Sequence, residues 1–146
     1  MQTTIRQLLD DKGHQVWSVN ADTTVYDALR LMAEKSIGAL LVMRGGQVVG
    51  ILSERDYARK VILEGRKSRE TLAADIMSTA VLHALPGQSV AEAMALMTEH
   101  RIRHLPVMEH GRLLGIISIG DLVKAIIAQQ EFVIGQLENY IAGAIA

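Results

Sequence analysis

A repeat is what most limits how this chain can fold. Displaced against itself by 65 positions, the sequence sets Val25, Ala28, Met32, Glu34 and Ile37 on Val90, Ala93, Met97, Glu99 and Ile102. The register continues through Leu40, Val42, Met43, Gly46, Gly50, Ile51, Ser53 and Asp56, which fall on Leu105, Val107, Met108, Gly111, Gly115, Ile116, Ser118 and Asp121. No gap is needed between residues 25 and 56, so every element and turn has one length in both copies. Internal repetition of this kind means one supersecondary unit used twice. One copy is too small to cover a sheet and two helices; two packed together suffice.

Each copy reads as strand, helix, strand, strand, helix. Thr24 with Asp27, and Ser89 with Glu92, pair a cap residue with an acidic residue three positions on, and Ser89-Val90-Ala91-Glu92 reads as a capping box. Behind these caps Val25, Ala28, Leu29 and Met32, and Val90, Ala93, Met94 and Met97, recur at helical spacing. Two short apolar runs follow in each copy, 39–43 then 48–52 and 105–108 then 113–117, with glycine-bearing turns that predict hairpins. Pro106 has no N–H to give to a ladder, so its strand starts there or lies at an edge. After Ser53 and Ser118 the spacing is helical again, and a short leading strand is expected at Trp17 to Val19 and at Val81 to Ala84. Glu64 to Glu70 is polar and reads as the crossing between copies. The expected fold is α/β (α+β): two pseudo-symmetric β-α-β-β-α repeats packed sheet to sheet, divided as residues 1–70 and 71–128, with a C-terminal helix at 129–146.

Composition removes several functions. Fifteen Lys and Arg against sixteen Asp and Glu leave a net charge of −1, and only 3% of residues are aromatic. The chain therefore lacks both the positive field and the stacking platforms of a nucleic-acid binder, which argues against that partner. Without cysteine there is no disulfide, thiolate metal site or Cys nucleophile. No apolar run reaches the roughly 18 residues of a membrane span, and the N-terminus has no signal-type apolar region. These features predict a soluble cytoplasmic protein with no membrane partner. No nucleophile, base and orienting group can be assembled, and no phosphate-cradling Gly-rich loop occurs, so the chain is not expected to be an enzyme.

The doubled pattern Gly50-Ile51-Leu52-Ser53-Glu54-Arg55-Asp56 and Gly115-Ile116-Ile117-Ser118-Ile119-Gly120-Asp121 resembles the cystathionine-β-synthase-type (CBS) repeat, two of which make a Bateman module. Ile102-Arg103-His104-Leu105-Pro106-Val107 and Asp75-Ile76-Met77-Ser78 match the same family, and the resemblance covers about residues 3 to 127. It implies an adenosine-ligand site in each repeat, in clefts between the two. In the family the motif Asp accepts from both ribose hydroxyls, and the Ser or Thr bonds ribose or phosphate. Carried over by position, Asp56 and Ser53 serve one site, and Asp121 and Ser118 the other. The implied adenine walls are Ile37, Gly38 and Ala39 in the first, and Ile102, Arg103 and Pro106 with Met77 and Thr79 in the second. Arg103 and His104 would reach phosphates, and Arg55, with Arg59 one turn later, would add charge at the first site. Because Gly38-Ala39 stands where the second copy has Arg103-His104, and Gly120 where the first has Arg55, unequal sites are expected, with the Asp56 site better furnished for extended phosphates.

The chemistry agrees independently of the resemblance. A carboxylate in the first helical turn is favoured by the dipole and accepts from two adjacent hydroxyls, as in dinucleotide folds, while free N–H groups at the helix start suit a phosphate. That chemistry suits a nucleoside monophosphate or diphosphate; the resemblance, which implies adenosine, makes the expected ligand an adenine nucleotide: AMP first, then ATP, ADP or NAD(H). S-adenosylmethionine fits less well because it is cationic like the cluster. No cofactor is required.

Plain structural readings compete at several positions. Helix capping alone explains one Ser-x-x-Asp, and its recurrence after the same glycine favours ligand contact. Arg101 reads as surface. His100 and His104 have zinc-helix spacing but straddle the change from helix to strand, so no metal site is expected. Met32, Met43, Met97 and Met108 read as core fillers. Trp17 packs the first strand or lines the adenine cleft. In the tail, Val123, Ile127, Gln130, Ile134, Leu137, Ile141 and Ala144 form an apolar seam at 4,3 spacing. It folds back or pairs two copies, and the resemblance favours a homodimer. The expected function is regulatory: nucleotide occupancy changes conformation or association for an effector protein the sequence does not name. The rival is a ligand-independent dimerisation and interaction module.

Overall fold

The computed structural model describes residues 2–79 and 81–145. Caps and apolar spacing set its helices. Thr4 and Gln7 close a reciprocal capping box that starts α1 (Ile5–Lys12), which buries Ile5, Leu8 and Leu9. Thr24 accepts from the Asp27 N–H at 3.2 Å and starts α2 (Val25–Lys35); Ser89 accepts from the Glu92 N–H at 3.0 Å and starts α5 (Val90–His100). Only this half of the expected box at Ser89 forms, and the backbone there bridges Thr4.

The two hairpins repeat in detail. Strands β2 (Ala39–Arg44) and β3 (Gln47–Ser53) pair antiparallel with Ala39 opposite Ser53; β4 (His104–Glu109) and β5 (Arg112–Ser118) pair with His104 opposite Ser118. Register shifts fall at Val42/Met43 and at Val107/Met108, which are equivalent positions. The leading strands differ. β1 (Ser18–Asn20) joins β2 in parallel with Val19 opposite Val42, whereas the second copy keeps only the equivalent bridge, Ala84 to Val107. Leu41 donates its N–H to the Trp17 carbonyl at 3.3 Å, and Pro106, in the equivalent position, has no N–H. One missing donor reduces the expected strand at Val81 to Ala84 to a bridge.

The chain gathers into two compact units that cross the repeat boundary: the chain up to Gln15 joins the segment from His83 onward, and Val16–Leu82 forms the other. The connections explain the exchange. In the first of these units the Ile5 N–H bonds Gln88 O and the Val90 N–H bonds Thr3 O. In Val16–Leu82, Leu72 bridges Thr24 and Ser78 bridges Ile51, carrying α4 (Ala73–Ile76) onto β3. The core of this unit holds Val25, Ala28, Met32, Leu40, Val42, Leu52 and Ile76, with Trp17 packed against it and the Lys35 ammonium 4.3 Å from the indole centre. Met32 and Met97 are core residues; Met43 and Met108 are half-buried.

Each motif glycine lies under the segment that precedes a repeat: Gly50 under the residues just after α4, Gly115 under α1. A Cβ on Gly50 would stand 2.8 Å from Met77 Cγ and 3.0 Å from the Ser78 carbonyl; one on Gly115 would stand 2.8 Å from Leu9 Cδ2. After the motif the copies diverge. Ser53 is followed by α3 (Glu54–Tyr57) and a π-helical turn, Ala58–Ile62, whereas Ser118 is followed by α6 (Ile119–Ile145), a helix of 27 residues that takes in the expected tail from 129 to 145, position 146 lying outside the described residues. Val123, Ile127, Ile134, Leu137 and Ile141 lie exposed along α6. Among the described residues, no helix is long and apolar enough to cross a membrane.

Candidate functional site

The Ser-x-x-Asp motifs form two corners of matching backbone geometry. In the first, the Ser53 N–H and hydroxyl each donate to Asp56 Oδ2 at 3.0 Å, and the Asp56 N–H donates back to Ser53 Oγ at 3.1 Å. In the second, the Ser118 N–H donates to Asp121 Oδ2 at 2.8 Å and the Asp121 N–H to Ser118 Oγ at 3.1 Å. Both helices are also tied to the loop before the hairpin: the Glu54 N–H bonds Gly38 O at 3.0 Å, and the Ile119 N–H bonds Arg103 O at 2.8 Å. That bond brings the expected wall residues to the motif. Ile37 and Gly38 are half-buried and Ala39 is buried opposite Ser53; Ile102 and His104 are half-buried, Arg103 is exposed and Pro106 is buried.

Arg55 and Arg59 are exposed near Asp56 in sequence. Met77 and Thr79 belong to the unit of Asp56, Met77 lying over Gly50 and Thr79 exposed, so they share a unit with Ile37 and Ser53 rather than with Asp121. His100 is exposed at the end of α5 and His104 opens β4; among the described residues no three His, Cys, Asp or Glu side chains gather as a metal site.

Two lysines that sequence reasoning missed complete the corners. Lys60 Nζ lies 3.3 Å from Asp56 Oδ1 and donates to Ile76 O at 2.9 Å. Lys12 Nζ donates to Asp121 Oδ2 at 2.5 Å and to Ile116 O at 2.7 Å. Lys60 is detectable in the sequence as the i,i+4 partner of Asp56. Lys12 is detectable only through the repeat, because 77 − 65 = 12 places it in register with Met77.

Electrostatics follow from these contacts. Burial alone would raise the Asp121 carboxyl, but the Lys12 hydrogen bond and the Ser118 N–H outweigh it and hold the group below its ordinary value. His104 is pushed below the usual imidazole value by burial and then by the Lys12 and Arg103 charges, against the pull of Asp121. His14 moves the other way, raised by its bond to the Leu114 carbonyl and by Asp10.

The family model for the CBS domain matches residues 11–63 and 73–128. The chain is a tandem CBS-domain protein. The Arabidopsis thaliana CBS domain-containing protein CBSX3, mitochondrial, is 38% identical over 97% of this chain and 73% of its own length. Among solved structures, a protein with CBS domains from Burkholderia ambifaria MC40-6 superposes with a TM-score of 0.85 at 54% identity, over 88% of this chain and 96% of that one. The hexameric CBS-CP12 protein from bloom-forming cyanobacteria gives 0.76 at 29% identity, over 84% and 71%. CBS domains are regulatory, non-catalytic modules, and some relatives self-associate, as the hexameric CBS-CP12 protein does. Membership of the family carries a general regulatory, ligand-sensing role.

Proposed function

We propose that this CBS-domain pair senses adenine nucleotides, AMP first and then ATP, ADP or NAD(H), and answers occupancy by a conformational or oligomeric change. The observation that carries the reading is the recurrence of one carboxylate corner, with the same cap, the same strand register and an ammonium beside it, at Asp56 and Asp121. Capping explains the serine contacts but not the recurring ammonium. Side chains 18% and 20% exposed leave each carboxylate an edge for a ribose diol. Ser53 and Ser118 would bond ribose or phosphate, Ile37, Gly38, Ala39, Met77, Thr79, Ile102 and Pro106 would face adenine, and Arg55, Arg103 and His104 would meet phosphate. The exposed seam of α6 favours a second element of the reading, a homodimer, which light scattering at two protein concentrations tests.

A thermal-shift panel on nucleotide-stripped protein tests the ligand. At about 100 times Kd a ligand stabilises its host by about 2.7 kcal/mol, enough to move the midpoint by degrees. We expect shifts with AMP, ADP, ATP or NAD(H) and none with GMP, reduced by Asp56→Ala or Asp121→Ala alone and abolished by both together. A flat panel, or a double variant that folds and binds like the parent, overturns the assignment in favour of a ligand-independent interaction module.

A further inference from the structure

We propose that Lys12 and Lys60 are exchangeable counter-ions: each holds its motif carboxylate until a ligand offers a vicinal diol to the carboxylate and a phosphate to the ammonium. This rests on the nucleotide reading above and adds a specificity rule to it. Only a ligand carrying both groups makes the exchange complete.

The two lysines are not copies of one another. Lys12 comes from α1 and its register partner is Met77; Lys60 follows Asp56 by one turn and its register partner is Ala125. Two unrelated positions have thus arrived at one arrangement, an ammonium shared between the motif carboxylate and a main-chain carbonyl. Capping does not require it, since serine completes the cap in both copies. At the starts of α3 and α6 the dipole opposes a cation, so there it is the carboxylate that draws the ammonium, while the ends of α1, which carries Lys12, and of α4, whose Ile76 carbonyl accepts from Lys60, accommodate it.

Charge then sets the exchange. A bare carboxylate repels a phosphate, whereas a carboxylate with an ammonium is neutral and can separate its charges between diol and phosphate. A nucleoside without phosphate must strip the ammonium from the carboxylate and gives it no anion in return. The pairs are free to part: the Lys12 and Lys60 side chains are 32% and 41% exposed, and lysine is a mobile point charge.

Titration calorimetry with AMP and with adenosine, on the parent and on Lys12→Gln, Lys12→Arg and Lys60→Gln, reads the rule directly. Glutamine removes the charge and keeps a donor for the main-chain carbonyl. The expected result is a crossover: AMP weakens roughly tenfold at the altered site while adenosine tightens roughly threefold, because the carboxylate is no longer engaged. Lys12→Arg should keep the preference for AMP. If AMP weakens and adenosine is unchanged, the lysine is a plain phosphate contact and the exchange is wrong; if both weaken alike, or neither changes, it is a structural anchor and the exchange is again wrong. Should the Lys12→Gln chain fail to fold, Lys60→Gln decides between the same outcomes at the other corner. Failure of the parent to bind either ligand overturns the nucleotide reading itself, and the exchange with it.

Discussion

The Asp56 and Asp121 corners share a glycine, a serine cap, a strand register and a tie from the helix start to the preceding loop, yet they assemble their charge from different places. Around Asp121 the cations are Lys12, Arg103 and, when protonated, His104; around Asp56 they are Lys60, Arg55 and Arg59. At the positions equivalent to Arg103 and His104 the first copy has Gly38 and Ala39. The backbone cradle is what the repeat preserves. The charge on it is free to come from any element that passes within reach, so the two corners differ in the source of their cations.

The cradle itself gives the largest expected effects. Gly50→Ala forces a Cβ within 3.0 Å of the Ser78 carbonyl, which is backbone and cannot swing away, whereas Gly115→Ala meets the end of the flexible Leu9 side chain. Overpacking of this kind costs about 1–3 kcal/mol. Denaturant midpoints should therefore fall for both, and further for Gly50→Ala. Equal losses would mean that the leading segments are held with the same stiffness in both units.

That close approach also marks what was legible in the sequence. Hairpins, the helices α2 and α5 and the repeat follow from apolar spacing and caps, which are local, so they could be read from the chain, whereas the short helices α1 and α4 were not expected. The exchange of leading segments could not. Nothing in the spacing of Thr4-Ile5-Arg6-Gln7 says that Thr4 will bridge Ser89, and without that contact Lys12 has no visible reason to meet Asp121. Pro106 is recognisable from its chemistry as unable to donate, but the consequence falls on the neighbouring segment at Ala84 rather than on its own strand.

Acid should separate the corners next. The Asp121 carboxyl lies below its ordinary value when folded, so its contribution to stability is present above about pH 4 and is lost as pH falls through the folded value. His104 is likewise depressed. Between its folded value and about 6.5 the unfolded chain binds the extra proton, so its contribution is complete above about pH 6.5 and is lost as pH falls below that. His14 is raised and opposes this, but it is exposed to solvent and its contribution is small. With Ala39 in the place of His104, the Asp56 corner has no such imidazole. Amide exchange compared at pH 7.5 and pH 5.5 should show β4, β5 and the start of α6 losing protection more than β2 and β3, and His104→Gln should narrow the gap. Equal loss in both hairpins would remove His104 as the source of the difference.

The smallest effect concerns a feature the copies share without modification. Helices α2 and α5 end alike: Ile37 N–H bonds Met32 O and Ile102 N–H bonds Met97 O, each at 3.0 Å, while Ser36 and Arg101 hold left-handed φ values of 53° and 55°. Glycine takes that conformation without a Cβ penalty, so Ser36→Gly and Arg101→Gly should each raise stability by about 0.5–1 kcal/mol, read as a rise in thermal midpoint. Because the cap geometry is the same, a purely conformational account requires equal gains. Arg101, however, stands two residues from Arg103 at the Asp121 corner, and removing it also relieves like-charge repulsion with Arg103. A larger gain for Arg101→Gly that shrinks in high salt would show that the strained cap is also part of the charge placed around Asp121. Equal gains at all salt concentrations would confine that charge to Lys12, Arg103 and His104.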